Sequence, residues 1–434
     1  MVTVDSIWNE HVKLPHFRKL KRNARTDVLI IGGGMAGILC AYFLQKEHVD
    51  YMLVEKGSIC RGITKNTTAK ITSQHGLIYH RMLKSLGSEK TRMYLDANQN
   101  AVRKFTRLCR AIDCDFEKKA AYVYSKNDRA KLEEEAEALS RIGFHTHITD
   151  ADTLPFQTAG AIGFAEQAQF HPLKFISKIA PGLNIYEDTF VKELAENTAV
   201  TENGKITFQK MIVATHFPLD NKHGLYPLKM YQDRSYVIAL ENAPQIDGMY
   251  IDEAPDGFSF RNYKNYLFIG GGSHRTGKPG KNWEDLRNCA RLYYPNMEEK
   301  YSWAAQDCMT LDGIPYIGPY SRNMPECYVT TGFNKWGMTS SMVSASILTD
   351  MILEKENPYA PVFRPSRNML KPQLFINGFE SITNLLTISS KRCPHMGCAL
   401  HWNKAEHSWD CPCHGSRFDR FGKLLDNPSN GDMM

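Results

Sequence analysis

A chain of 434 residues is too long for one compact hydrophobic core and suits two or three domains. Its 42% hydrophobic and 23% charged residues are those of an ordinary folded enzyme, and a formal charge of +6 spread along the sequence excludes a concentrated nucleic-acid footprint. Of eleven cysteines, seven (Cys40, Cys60, Cys109, Cys114, Cys289, Cys308 and Cys327) are scattered and read as reduced thiols, while the last four cluster.

The first residues, MVTVDSIWNEHVKL, are polar and carry no apolar leader, which predicts a cytoplasmic protein. Residues 1–25 form an extension whose basic stretch, 16–25, reads as a solvated segment. Residues 28–44 are uncharged, but four glycines interrupt them and they fall short of the ~20 apolar residues of a membrane span. A buried strand (27–31), a turn and a helix (35–46) account for them better. In that context Gly32 permits the turn, Gly34 lets the backbone approach a pyrophosphate and Gly37 lets helix and strand pack closely. A second strand, 51–54, leads to Glu55, 23 residues past the first glycine, where a carboxylate accepts from a ribose hydroxyl. Together these predict a dinucleotide site, with the choice between FAD and NAD open.

Residues 88–111 and 127–142 have helical periodicity, the second with a charged face read as solvated, and 230–240 and 249–271 alternate like antiparallel strands. A discontinuous nucleotide-binding domain (26–86, 150–220, 308–356) is expected, with a substrate domain (87–149, 221–307) inserted into it. Residues 357–372 read as a linker to a C-terminal domain, 373–434.

Four segments resemble, in content and order, the flavin-contacting parts of the D-amino acid oxidase and glycine oxidase superfamily. They are 64–75 (TKNTTAKITSQH), 212–216 (IVATH), 311–319 (LDGIPYIGP) and 331–339 (TGFNKWGMT). The resemblance extends to members with a C-terminal Rieske domain. It implies an α/β fold: a Rossmann-like FAD domain, an inserted α+β domain with an antiparallel sheet, and a small all-β Rieske domain. FAD contacts would then include Thr67, Thr68, Thr215, Asp312, Gly332, Gly337, Met338 and Thr339. Cys308, only four residues before Asp312, is spaced too close for the covalent relatives' pattern, so FAD is expected to be non-covalent. Arg261 stands where amino-acid-oxidising relatives grip a substrate carboxylate, a task suited to paired guanidinium donors, although an ordinary ion pair would also explain it. His75 and His274 are candidate pocket residues or satisfied structural histidines.

At the other end, Cys393 and His395 are followed by Cys411 and His414. Two thiolates can hold one iron and two imidazoles the other, the mixed ligation of a Rieske [2Fe–2S] cluster. Zinc is the rival, and the C-x-H and C-x-C-H spacings fit it poorly. In the Rieske proteins it resembles, residues placed like Cys398 and Cys413 form a disulfide. Ser416 matches a serine that hydrogen-bonds a bridging sulfide, and Phe418 replaces a tyrosine, which predicts a potential below the top of the range of about −150 to +300 mV. The strands ahead of the first cluster loop are cut short, so the base of this domain is expected to be reduced. A mononuclear-iron oxygenase is excluded, because no histidine follows His414.

The expected activity is oxidation of a small amine or amino acid at the C–H next to nitrogen, by hydride transfer to FAD. Electrons then pass singly to the cluster and on to an external acceptor, a protein or a quinone. The alternatives are a non-catalytic electron carrier, or a flavin oxidase with a structural C-terminal metal site.

Overall fold

The run Val28 to Ile31 is buried on both faces because it forms the centre of a parallel sheet, where helices and loops cover each side. In this computed structural model, which describes residues 2–10, 12–219 and 223–433, strand Ala24–Ile31 pairs in parallel with Tyr51–Val54 and Gly204–Val213. Ile31 lies opposite Val54 on one side and Val213 on the other. Met324–Thr331 and Ile185–Tyr186 extend the sheet in parallel on the two sides. Helices Met35–Lys46 and Gly337–Ile352 pack together against it.

A nine-stranded mixed sheet forms the second layer. Its long antiparallel part joins Met230–Glu241 to Tyr266–Arg275 and to Glu298–Thr310. The alternation at 249–271 resolves into the successive strands Met249–Asp252, Ser259–Tyr263 and Tyr266–Arg275.

The stretch 150–220, expected whole within the nucleotide-binding part, divides between the layers. Gly160–Gln169 pairs with Glu117–Ser125 in the nine-stranded sheet, and Lys70–Ile71, also expected in the nucleotide part, joins it there. The reason is long-range: a strand goes to whichever edge pairs its backbone, and apolar content does not specify that edge. The charged face of helix Arg129–Arg141 also departs from expectation. Glu135 is buried and accepts from the N–H groups of Tyr79 (2.9 Å) and His80 (2.7 Å), and burial raises its pKa to about 7.

The N-terminal extension is a strap laid across both layers. Ser6 caps a short turn, Ile7–Asn9, that buries Trp8 completely, and the indole N–H donates to the Thr67 carbonyl at 2.7 Å. Within 16–25 most cations are exposed, as expected, but Leu20 is buried and its N–H donates to Thr189 Oγ1.

Residues 357–372 are packed too, contrary to a linker. Val362 and Phe363, on the short helix Ala360–Phe363, enter the main core, and Arg367 pairs with Asp312. Helix Pro372–Leu386 then stands where strands would form the base of the last domain. Beyond it come four short antiparallel strands: His401–Asn403, Ser408–Asp410, Arg417–Asp419 and Leu424–Asp426. Among the described residues no helix is long and apolar enough to cross a membrane.

Candidate redox site

Strand Ala24–Ile31 delivers the chain to a turn that tolerates no side chains. A Cβ on Gly32, which has φ +111°, would meet the Ala214 carbonyl at 2.5 Å, and one on Gly37 would lie 1.9 Å from the Gly32 carbonyl. Beside Gly34 a Cβ meets nothing nearer than Thr64 Oγ1 at 3.5 Å, and this side opens into a cavity of about 940 Å³. The N-termini of helices Met35–Lys46 and Gly337–Ile352 both reach the cavity. Thr64 Oγ1 accepts the Met35 N–H at 3.0 Å. Glu55 accepts from the N–H groups of Gly33 (2.7 Å) and Gly57 (3.0 Å), and still has acceptor capacity facing the cavity. Thr67, Thr68, Thr215, Gly332, Gly337 and Met338 line the same space. A cradle without side chains, two positive helix ends and an acid at the second strand fit FAD.

Three expected contacts, Arg261, Asp312 and His274, lie elsewhere, and a fourth, Thr339, stands just off the wall. Arg261 is 1% exposed and is absent from the cavity wall. Its Nη1 donates to the carbonyls of Thr68 (2.5 Å) and Ala69 (3.2 Å), and the guanidinium lies over Trp8 and Phe268. It therefore supports the back of the threonine-rich stretch, away from the cavity wall. Asp312 also turns away from the cavity, to a paired contact with Arg367 Nε and Nη2, both at 2.7 Å. Burial opposes its ionisation, but Arg367 outweighs burial and the carboxyl is held below its ordinary range. His274 stacks on Tyr236 and lies off the wall.

Thr339 and His75 form a buried junction at the cavity's edge. Thr339 Oγ1 donates to the Thr72 carbonyl, which also sits 2.8 Å from His75 Nε2, while Tyr94 Oη lies 2.6 Å from Nδ1. A carbonyl can only accept, so Nε2 carries the proton and Nδ1 accepts from the tyrosine. Burial lowers this imidazole's pKa to about 3, leaving it neutral where it lines the cavity.

The cavity also holds groups that the sequence reading passed over. Lys70 reaches into it, with Thr68 Oγ1 at 3.3 Å and no carboxylate in ion-pair range among the described residues. Burial, aided by the charge of Arg261, lowers its pKa to about 7. Asp307 is on the wall as well, with its carboxyl raised to about 6 by burial against the opposing pull of Lys335. Lys70 lay inside the stretch already singled out, and a lone lysine between Ala69 and Ile71 was the available sign. For Asp307, on a strand nearly 240 residues further on, there was none.

At the C-terminal end two similar turns face each other. Cys393 N–H donates to the Cys398 carbonyl and Gly397 N–H to that of Cys393. In the second turn Cys411 N–H donates to Ser416 and Gly415 N–H to Cys411. Cys393 and Cys411 are buried in one small cluster, and the sulfurs of Cys398, Cys411 and Cys413 lie within 4.8 Å of one another with no disulfide formed. The rings of His395 and His414 are 5.0 Å apart. Among the described residues, both nitrogens of His395, and Nδ1 of His414, are buried without a hydrogen-bond partner. Orphaned imidazole nitrogens beside paired thiols are costly unless they ligate a metal, which is what a [2Fe–2S] cluster on Cys393, Cys411, His395 and His414 would supply.

The cavity and this pocket share a wall. Gln232 Nε2 donates to the carbonyls of His414 (2.8 Å) and Asn427 (2.9 Å), and Gln306 Nε2 to that of Gly415 (2.8 Å). Asn427 Nδ2 returns a bond to the Thr215 carbonyl at 2.7 Å, and residues Leu424 to Asn427 line the flavin cavity. Next along the chain, His216 faces the cavity while the Phe217 ring lies 6.2 Å from both His395 and His414. Glu406 clamps the junction between Arg234 and Arg417. Burial disfavours its charge, but the two guanidiniums outweigh burial and draw its pKa down to about 2.

Comparison with known proteins agrees with both halves. The family model for FAD dependent oxidoreductases matches residues 27–351, and that for the Rieske [2Fe-2S] domain matches 376–433. A protein of Bacillus subtilis (strain 168), YhfW, which carries the name of a Rieske 2Fe-2S iron-sulfur protein, is 34% identical over 491 aligned positions, covering 98% of this chain and 96% of its own. Among solved structures, glycine oxidase from Geobacillus kaustophilus has a TM-score of 0.67 at 19% identity, covering 80% of this chain and 99% of its own. L-proline dehydrogenase from P. horikoshii has the same TM-score at 17% identity, covering 80% and 98%, so both likenesses concern the fold. The chain belongs to the FAD-dependent oxidoreductase family and carries a Rieske [2Fe–2S] domain at its C-terminal end.

Proposed function

We propose that the chain is a dehydrogenase for a small amine or amino acid bearing a carboxylate, with its two redox centres wired in series inside one polypeptide. The observation that carries this reading is the shared wall: Thr215, His216, Gln306 and Asn427 line the cavity, Gln306 and its partner Gln232 donate to the cluster-loop carbonyls, and Phe217 lies against both histidines. When bound, FAD supplies a two-electron acceptor and the cluster a one-electron carrier to an external acceptor.

The chain's own residues bind and orient. Lys70 replaces Arg261 as the carboxylate partner, since it lines the cavity and no acid among the described residues engages its ammonium. Asp307, whose carboxyl pKa is raised to about 6, stands on the wall as the base to take a proton from the substrate's ammonium. Overall the substrate loses two electrons and two protons and its C–N bond becomes C=N. The fold likeness to glycine oxidase and proline dehydrogenase supports a substrate of this class.

Anaerobic addition of glycine, proline and D- and L-amino acids to the iron-loaded flavoprotein tests the reading. The flavin absorbance should bleach and a reduced-Rieske EPR signal should grow with it. A flavin that bleaches while the cluster stays oxidised would point to a structural metal site. No bleaching with any amine would point to an electron carrier.

A further inference from the structure

Helix Pro372–Leu386 is built inside out. Its polar residues Asn377 and Asn384, two turns apart, are 1% and 3% exposed and face the protein. Asn377 Nδ2 donates to the Leu228 carbonyl at 3.1 Å and its Oδ1 accepts from Arg275 Nη1 at 2.9 Å, while Asn384 Nδ2 donates to the Glu380 carbonyl and the Asn384 backbone carbonyl accepts the Ala399 N–H. The opposite face carries Phe375, Phe379, Ile382 and Leu386, which are 69%, 69%, 60% and 77% exposed, and it continues into Ile388 at 99%. A surface helix of a globular protein turns its apolar stripe to the core, so this arrangement leaves a continuous apolar face in need of a cover.

The charge around that face restricts what can cover it. Residues 357–404 contain six Lys and Arg and a single acid, Glu380. Glu380 turns inward to Lys278 at 2.7 Å, and among the described residues only Arg367 of these cations is held by a carboxylate, that of Asp312. Lys371 stands at the N-cap of the helix, while Lys391 and Arg392 follow its C-terminal end. Apolar side chains between two cationic ends suit the boundary between anionic headgroups and acyl chains. A second copy of this chain would bring the same cations together and suits the face poorly. Fifteen residues span roughly 22 Å as a helix, too short to cross a bilayer, so the helix would lie in the plane of the surface.

We propose that this face docks the protein on an anionic lipid surface. The inference goes beyond the oxidation reaction and does not depend on it. It also places the cluster loops at that surface, because Arg392 ties the helix end to the loop through the carbonyls of Leu385 and Gly397, and Met396, next to His395, is exposed.

Flotation of the holoprotein with phosphatidylcholine vesicles, with and without phosphatidylglycerol, tests it. The protein should float with the anionic vesicles and be released by salt. F375E/F379E should weaken partition by about tenfold or more, with flavin and cluster spectra unchanged. K371Q/K391Q should weaken binding to anionic vesicles alone. Failure to bind either vesicle, or wild-type binding by F375E/F379E, would overturn the proposal. So would a concentration-dependent dimer that F379E dissociates, which would assign the face to a second copy.

Discussion

Val28 to Ile31 disappear into cores that run through both large sheets, whereas the apolar interior of residues 393–433 is centred on Leu400, Phe418 and four cysteines. A segment this small cannot bury enough surface to hold itself together. It depends on metal ligation and on polar groups lent by the body: Gln232, Gln306, Arg234 and Arg275. The two halves therefore differ in what they are sensitive to. The flavin body depends on shape and the cluster domain on ligands and charge.

The sharpest way to break this comparison is to remove one metal ligand. Cys411→Ser should abolish the Rieske EPR signal and deprotect amides of 393–433 to hydrogen exchange, while FAD binding survives. Uniform loss of protection across the body would show that the halves fold as one.

The converse change is Gly37→Ala, which forces a methyl to within 1.9 Å of the Gly32 carbonyl. FAD should be lost on purification and the melting temperature should fall, while iron content per folded chain is retained.

Next in size is Glu406→Ala, which leaves the buried Arg234 without its carboxylate, while Arg417 keeps Asp410 and Asp426, and should cost about 3 kcal/mol, read by chemical denaturation. The pH dependence has the matching sign. A carboxyl lowered to about 2 from an ordinary 4.5 stabilises the fold fully above 4.5, and this contribution is lost as pH falls towards 2. Glu406→Gln should flatten that window.

The smallest effect concerns substrate. Lys70→Met should raise KM for carboxylate substrates by about tenfold, leaving the flavin spectrum intact. Because Lys70 is charged below a pKa of about 7 and neutral above it, kcat/KM should fall as pH rises through 7. Lys70→Arg, charged throughout, should remove that fall.

What was legible followed from local chemistry. Gly32, Gly37 and Glu55 could be read because turn, strand and helix are consecutive in the chain, and the cluster residues because each loop is a short turn. The reading of Arg261 and Asp312 failed for the same reason. Each has the right residue type near the right motif, but Thr68 and Arg367, distant in sequence, claimed the side chains.

The order of strand, glycine turn, helix and acid, and the pairs of Cys and His, were determined by sequence, since these depend on backbone conformation and ligand chemistry a few residues apart. Tertiary structure decided which buried cation faces the cavity, that the N-terminal strap and the 357–372 segment are packed, and that cavity and cluster pocket share a wall. Those outcomes depend on pairing and burial between segments up to hundreds of residues apart, which no local pattern encodes.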